Sequence, residues 1–186
     1  QKKMDSKFKW KKSIWRTIDW SSHGTLLTRQ TFPKQKFLVK VIHERLPVLG
    51  ASYHPSPTIQ CPCCHTEIET IPHFMKCTHN IESWASVVPH LLQVYKKHKI
   101  DPILRILLNT SLQENITLQT LLTKHPNINF RPYKQLIKQQ QLIGWEQIKY
   151  GRWTTQWKLI QLRYKSNTEL DNWIIAIQKQ IQITLY

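Results

Sequence analysis

The chain has 186 residues, of which 40% are hydrophobic and 10% aromatic, and it carries a formal net charge of +16 at pH 7. A chain of this length can bury roughly 70% of its unfolded surface, which is enough for one domain or two small ones. The apolar content excludes extensive disorder. The longest uninterrupted apolar run, residues 173–177, is far shorter than the ~20 residues that span a membrane.

The positive charge is concentrated at one end of the chain. Residues 1–50 contain twelve basic and three acidic side chains, a net charge of +9. Residues 51–100 are nearly balanced at +1, and residues 101–186 contribute +6. An excess of this size favours an acidic partner such as nucleic acid.

Apolar residues recur at helical spacing through most of the chain. A helix capped by Ser21 or Ser22 is predicted to end near Arg29, and a second is predicted over residues 33–46, where Pro47 stops it. Residues 53–62 are predicted to be extended, and Asn80, Asp101 and Thr117 are predicted to cap later helices. Those later helices are predicted over residues 81–87, 89–97, 102–108, 117–124, 133–143, 145–150, 155–164 and 168–183.

All four cysteines fall within residues 61–77. Cys61 and Cys64 are separated by two residues, and a tight turn aims two such sulfurs at one metal ion. His73 and Cys77 are spaced i, i+4, which puts both side chains on one face of a helical turn. These four residues predict a closed Cys3His site of the structural kind, with zinc as the cofactor.

Other ligand choices stay open in the same stretch. Cys63 is an alternative cysteine ligand, and His65 and His79 are alternatives on the second half of the site. Cys63 is expected to lie beside the site, where its thiol can hydrogen-bond a ligand sulfur.

A disulfide framework is disfavoured. Three of the four thiols fall within four residues, and nothing in the chain resembles a secretory signal. Reduced thiols that hold a metal indicate an intracellular, reducing compartment, either nucleus or cytoplasm.

The overall expectation is a mostly α fold, a helical domain organised around the small Cys3His zinc turn, since no useful stretch alternates like a strand. Residues 1–125 are expected to form the basic N-terminal helices and the zinc-binding region. Residues 126–186 are expected to form a C-terminal helical region, with one continuous domain as the alternative. Because the chain begins at Gln1 and not at Met, we expect it to be an excised part of a longer protein.

The carboxylates do not predict a catalytic site. Asp19 is expected to cap a helix, while Glu67 and Glu69 lie beside the predicted metal ligands. A zinc deaminase needs an open metal position and a His-x-Glu ahead of its cysteines, but here the cysteines come first. The four glycines do not form a phosphate-binding loop. We therefore expect no catalysis by this chain.

Basic and aromatic residues alternate over the first 20 residues. This pattern suits nucleic acid, because lysines meet phosphates and indoles stack on bases. The alternative is a basic helix whose Trp15 and Ile18 pack on the core while the lysines stay in solvent. Trp10 and Trp20 are predicted to stack on bases. The predicted phosphate contacts are Lys9, Lys11, Lys12, Arg16, Lys34, Lys36, Lys40 and Arg45.

Several motifs share one resemblance. They are the cysteine and histidine stretch with Pro62, Glu69, Thr70 and Trp84; W-x-x-I-D-W at residues 15–20; K-x-x-H-x-x-L-P at residues 40–47; and Q-x-x-I-G-W at residues 140–145, continued by Gly151, Arg152, Trp157 and Gln161. Together, over about residues 10–175, they resemble the zinc-binding region found downstream of reverse transcriptase in non-long-terminal-repeat retrotransposon polyproteins. The three residues between His73 and Cys77 depart from the more usual four.

The resemblance implies an accessory domain of a reverse transcriptase polyprotein that binds DNA or RNA. The net charge of +16 supports this role independently. The expected partners are nucleic acid and the remainder of the polyprotein, without a membrane. The alternative is a protein interaction module in which zinc fixes a helical scaffold.

Overall fold

The computed structural model describes residues 10–43, 45–51, 57–77, 79, 84–113, 116–164 and 170–185. In these residues the fold is mostly helical, as predicted, and it has isolated bridges but no strand. The α-helices are α1 (Lys12–Trp15), α2 (Trp20–Thr28), α3 (Phe32–Ile42), α4 (Ile71–Lys76), α5 (Val87–His98), α6 (Pro102–Gln113), α7 (Leu118–Lys124), α8 (Lys134–Ile143), α9 (Gln156–Tyr164) and α10 (Leu170–Leu185).

Asp19 caps the start of α2. Its Oδ1 accepts a hydrogen bond from the Ser22 amide at 3.1 Å, and its Oδ2 pairs with Lys158 Nζ at 2.8 Å. The predicted capping role of Asp19 is confirmed, whereas the prediction that Ser21 or Ser22 is the cap is wrong. A carboxylate is favoured here because it satisfies a free amide at the helix start and also binds a lysine of α9.

Helix α3 ends at Ile42, four residues before the predicted end at Leu46. The buried Arg152 guanidinium donates to the Ile42 carbonyl at 3.0 Å. A cation that binds the last carbonyls stabilises a helix end. Since Arg152 lies 110 positions away, local periodicity does not reveal this stop.

Two other predicted caps are confirmed. Asp101 Oδ1 accepts from the amides of Ile103 and Leu104 at 2.7 and 3.1 Å. Thr117 and Thr120 bond each other's backbone amides in a capping box. The predicted Asn80 cap and the predicted start at residue 168 lie outside the described residues, as do residues 53–56 of the segment 53–62.

The segment predicted as a helix over residues 145–150 is instead a single 3₁₀ turn, Trp145–Ile148. Gly144 precedes it with φ of 101°, a conformation that glycine adopts without the Cβ clash of other residues. A second 3₁₀ turn, Arg131–Tyr133, precedes α8.

One hydrophobic core draws on both halves of the chain. It includes Leu107 of α6, Leu121 of α7 and Trp157 of α9, and α10 packs against α5 and α2. Ile71 and Met75 of α4 belong to the same core. Residues 61–77, called here the metal-binding stretch after their predicted role, are therefore attached directly to the main core, while the division at residue 125 stays a prediction.

Gln140 organises the buried polar atoms of the C-terminal region. Its Oε1 accepts from Trp157 Nε1 at 3.0 Å and from the Thr154 amide at 3.3 Å. Its Nε2 donates to the Gly144 carbonyl at 3.1 Å. The Q-x-x-I-G-W motif and Trp157 thus form the framework of this region. None of the described helices is long and apolar enough to cross a membrane.

Candidate metal centre and basic surface

Four side chains meet in one group: Cys61, Cys64, His73 and Cys77. Their ligand atoms all lie within 4.8 Å of one another. The Cys61 and Cys77 sulfurs are 3.9 Å apart, and Cys64 Sγ lies 3.4 Å from His73 Nε2. The fold therefore brings together the predicted Cys3His set in the arrangement of a metal site.

A tight turn supplies the first pair of sulfurs. The bridge between Gln60 and Ile68 closes the ends of the turn, and the Cys61 amide donates to the Glu67 carbonyl at 2.7 Å. The His65 amide returns to the Cys61 carbonyl at 2.8 Å, with His65 at φ of 57°. The left-handed residue turns the chain so that Cys61 and Cys64 face the same point.

Helix α4 and the residue that follows it supply the second pair, His73 and Cys77. Thr70 caps it through a 3.1 Å bond from the His73 amide to Thr70 Oγ1, and Pro72 occupies its first turn. The Cys77 amide donates to the His73 carbonyl at 2.6 Å. The two ligands are thus held one helical turn apart, as their spacing predicts.

Glu67 orients the histidine ligand. Its Oε2 lies 3.0 Å from His73 Nδ1, so the other ring nitrogen, Nε2, faces the sulfurs. A carboxylate on the second ring nitrogen fixes the tautomer and strengthens the histidine as a metal ligand. Glu67 therefore has a positioning contact and does not face an open metal position.

The local dipoles favour thiolates on the first cysteine pair. Hydrogen bonds from the Thr66 side chain and the amides of Thr66 and Glu67 lower the pKa of Cys64 to about 5. Burial opposes ionisation of Cys61, but hydrogen bonds from the Cys64 and Cys63 amides and from His73 together outweigh it and lower its pKa. Since the thiolate is the form that binds metal, this turn is prepared for a cation.

In the second pair, His73 and Cys77, both pKa values are raised. Burial raises the pKa of the Cys77 thiol. Burial also disfavours the charged His73, yet hydrogen bonds to the Cys61 and Cys64 sulfurs dominate and raise its pKa. Metal binding would therefore displace protons from this half of the site.

The three alternative ligands lie outside the four-residue group. Cys63, His65 and His79 are all exposed. The Cys63 side chain hydrogen-bonds the Cys61 sulfur, which is the position that the sequence predicts for it.

Contacts on two sides attach the metal-binding stretch to the rest of the fold. Glu69 Oε2 accepts from the Leu49 amide at 2.6 Å, and the Gly50 amide donates to the Glu69 carbonyl at 3.0 Å. On the other side, the buried Lys149 donates to the Met75 carbonyl at 2.8 Å. Lys149 also lies over the Trp84 ring, 4.4 Å from its centroid.

Sequence reasoning missed Lys149. It directly follows the 3₁₀ turn Trp145–Ile148, 74 positions from Met75, and no local pattern distinguishes it from a surface lysine. Glu69 and Thr70 belong to the motif that the sequence shows, and each makes a contact in the structure. Glu69 binds the chain that follows α3, and Thr70 caps the start of α4.

The N-terminal region presents positive charge to solvent. Residues 10–43 contain seven basic side chains and one carboxylate. The carboxylate, Asp19, is buried and paired with Lys158. The seven basic side chains are all exposed: Lys11, Lys12, Arg16, Arg29, Lys34, Lys36 and Lys40. The predicted contact Arg45 is also exposed, and Lys9 lies outside the described residues.

The two tryptophans predicted to stack on bases are half-buried in a cluster around Trp15. Trp20 stacks on Trp15, with centroids 4.9 Å apart and planes at 19°, and its Nε1 donates to the Trp15 carbonyl. Trp10 meets Trp15 edge-on at 5.6 Å. One face of Trp20 is therefore covered, and base stacking by Trp10 and Trp20 stays a prediction.

No family model, curated protein or solved structure matches this chain at a significant level.

Proposed function

We propose that this chain is a zinc-stabilised nucleic-acid-binding accessory domain of a retroelement-type reverse transcriptase polyprotein, without catalysis of its own. The carrying observation is the charge of residues 10–43: seven basic side chains are exposed, and the one carboxylate is buried in an ion pair. Clustered, solvent-exposed cations of this kind attract a phosphate backbone.

Zinc is the metal that suits the Cys3His group best. Zinc–sulfur bonds of about 2.3 Å in a tetrahedron place two sulfurs about 3.8 Å apart. The Cys61 and Cys77 sulfurs are 3.9 Å apart. Four protein ligands fill a tetrahedron completely, so the metal is assigned a structural role.

The retroelement assignment is supported by the resemblance of the motifs. Trp84 and Gln140 belong to that resemblance, and both are buried contacts of the fold, so the motif residues serve its architecture. The proposal places the chain in a reducing intracellular compartment, with DNA or RNA and the rest of the polyprotein as partners.

The test is nucleic-acid binding by a charge variant of the zinc-loaded chain. Lys9, Lys11, Lys12 and Arg16 are replaced together by Gln, and the matched control replaces four exposed lysines elsewhere: Lys96, Lys97, Lys134 and Lys138. Both variants lose four charges. We expect the N-terminal variant to bind at least tenfold more weakly in electrophoretic shifts, with little change in the control.

If the folded N-terminal variant binds with wild-type affinity, the proposal that the N-terminal basic side chains contact nucleic acid is contradicted. If the wild-type chain also fails to shift DNA and RNA probes, the protein interaction module replaces the proposal.

A further inference from the structure

Helices α2 and α3 are joined by a very short connection. Helix α2 ends at Thr28 and α3 begins at Phe32, so three residues lie between them. The two helices pack against each other, and each faces the interior with buried apolar residues, Leu26 from α2 and Leu38 from α3. Two packed helices with a connection of three or four residues have the chain lengths of a helix-turn-helix unit.

Gln35 braces this connection. Its Nε2 donates to the Gln30 carbonyl at 3.0 Å and to the Thr28 carbonyl at 3.4 Å. A side chain of α3 thereby satisfies the end of α2 and the turn that follows it. The bond limits how far α3 can swing relative to α2.

The outer face of α3 is basic and carries exposed apolar groups. Phe32 is 66% exposed and Val39 44% exposed, and they are spaced with Lys36 at i, i+4, i+7 along one stripe. Lys40 is exposed beside this stripe, and Lys34 is exposed on the other side of the helix, in its first turn. Lys36 Nζ lies 4.4 Å from the centroid of the Phe32 ring. The helix contains no carboxylate.

We infer that α3 is a recognition helix that lies in the major groove of duplex DNA, an assignment that rests on the proposed function. The three lysines contact phosphates on either side of the groove, and Phe32 and Val39 meet thymine methyl groups on the base edges. In helix-turn-helix proteins the second helix of the pair has this position, and here it is α3.

The chemistry of α3 favours a duplex of DNA over the other nucleic acids. An α-helix is about 10–12 Å wide with its side chains, which matches the major groove of B-DNA at about 12 Å. The major groove of an RNA duplex is too narrow for side chains to read. Single strands are bound by stacking on open aromatic faces, but Lys36 covers one face of Phe32.

The first experiment measures binding of the zinc-loaded chain to a mixed-sequence DNA duplex, with the single strand and the RNA duplex alongside. The variant replaces Lys34, Lys36 and Lys40 by Gln. Its matched control replaces three exposed lysines of α5 and α8: Lys97, Lys134 and Lys138. If three phosphate contacts are lost, the slope of log K against log salt becomes shallower by roughly 2.7. We expect at least tenfold weaker duplex binding, and near wild-type binding in the control.

The second experiment separates the groove from the backbone. Duplexes in which glucosylated hydroxymethylcytosine replaces cytosine have their major groove filled while their phosphates are unchanged. The wild-type chain is expected to bind this duplex at least tenfold more weakly than the unmodified one. Melting temperatures of all variants check that the exposed substitutions leave the fold intact.

Equal affinity for the two duplexes, or wild-type affinity in the α3 variant, overturns the recognition helix. In that case continued binding by the wild-type chain leaves the proposed function standing. Failure of the wild-type chain to bind any of the three probes removes the proposed function and this inference with it.

Discussion

Each ligand of the Cys3His group is aimed by contacts within a few residues of it. Cys61 and Cys64 are set by the turn that His65 closes, and His73 is set by the Thr70 cap and by Glu67. Because these contacts are local, the spacing in the sequence is sufficient to predict the group. Little rearrangement beyond the rotation of side chains is therefore needed before a metal binds.

Loss of one ligand sulfur should remove zinc and much of the stability of the chain. Structural zinc sites contribute about 10 to 16 kcal/mol in small peptides at neutral pH, which is comparable to the whole stability of a domain. We expect Cys64→Ser to lose stoichiometric zinc by elemental analysis and to melt at a markedly lower temperature.

The matched control for that variant is Cys63→Ser, which removes the exposed neighbouring thiol outside the four-ligand group. It should retain one zinc per chain and melt close to the wild type. An unchanged melting temperature in Cys64→Ser, or an absence of zinc in the native chain, would contradict the structural zinc.

At the scale of elements, the chain that leaves α3 lies directly against the metal-binding stretch. A Cβ atom on Gly50 would stand 2.8 Å from the Glu69 carbonyl oxygen and would also clash with Ile68 Cγ2. The Leu49 amide bonds the Glu69 side chain at the same place. Position 50 therefore needs glycine because a Cβ atom has no space there, and not because the backbone requires a positive φ.

Gly50→Ala should therefore destabilise the chain by about 1 to 3 kcal/mol, since the Glu69 backbone has no free direction in which to yield. The control is Gly24→Ala in α2, where a Cβ would meet nothing within 4 Å. That change should stabilise the chain by about 0.5 to 1 kcal/mol. Denaturant unfolding of both variants measures the two signs, and equal effects would argue against the contact.

The parts of the fold that the sequence predicts are determined by contacts between neighbouring residues. The parts that it does not predict are determined by contacts between distant segments. The caps at Asp101 and Thr117 follow from neighbouring residues, and both were predicted from the sequence. The end of α3 depends on Arg152, and the position of α4 depends on Lys149. Those contacts join distant segments, so neither composition nor periodicity contains them.

At the scale of the whole molecule, Lys149 joins α4, which carries His73 of the candidate metal site, to the C-terminal region. Burial lowers its pKa to about 8, although the nearby Glu146 acts in the opposite direction. The unfolded chain then holds this proton up to a higher pH than the folded chain does. The charged lysine therefore costs stability at neutral pH, and that cost falls as the pH rises above 8.

Lys149→Met should remove this pH dependence. Between pH 8 and 9.5 the free energy of unfolding of the wild type should rise by about 1.5 kcal/mol relative to the variant, with a slope below the limit of about 1.4 kcal/mol per pH unit. Exposed Lys138→Met is the control and should run parallel to the wild type. Parallel curves for wild type and Lys149→Met, measured by chemical unfolding at several pH values, would contradict the buried charge.

The net positive charge of the whole molecule underlies the central proposal, which is that the chain binds nucleic acid through phosphate contacts. The most direct measurement is the affinity of the zinc-loaded wild-type chain for duplex and single-stranded probes across a range of salt concentrations. If about five basic side chains meet phosphates, log K should fall against log salt with a slope of about −4.5 on duplex and about −3.5 on single strand. No detectable binding at low salt, or an affinity that salt does not change, would contradict the account.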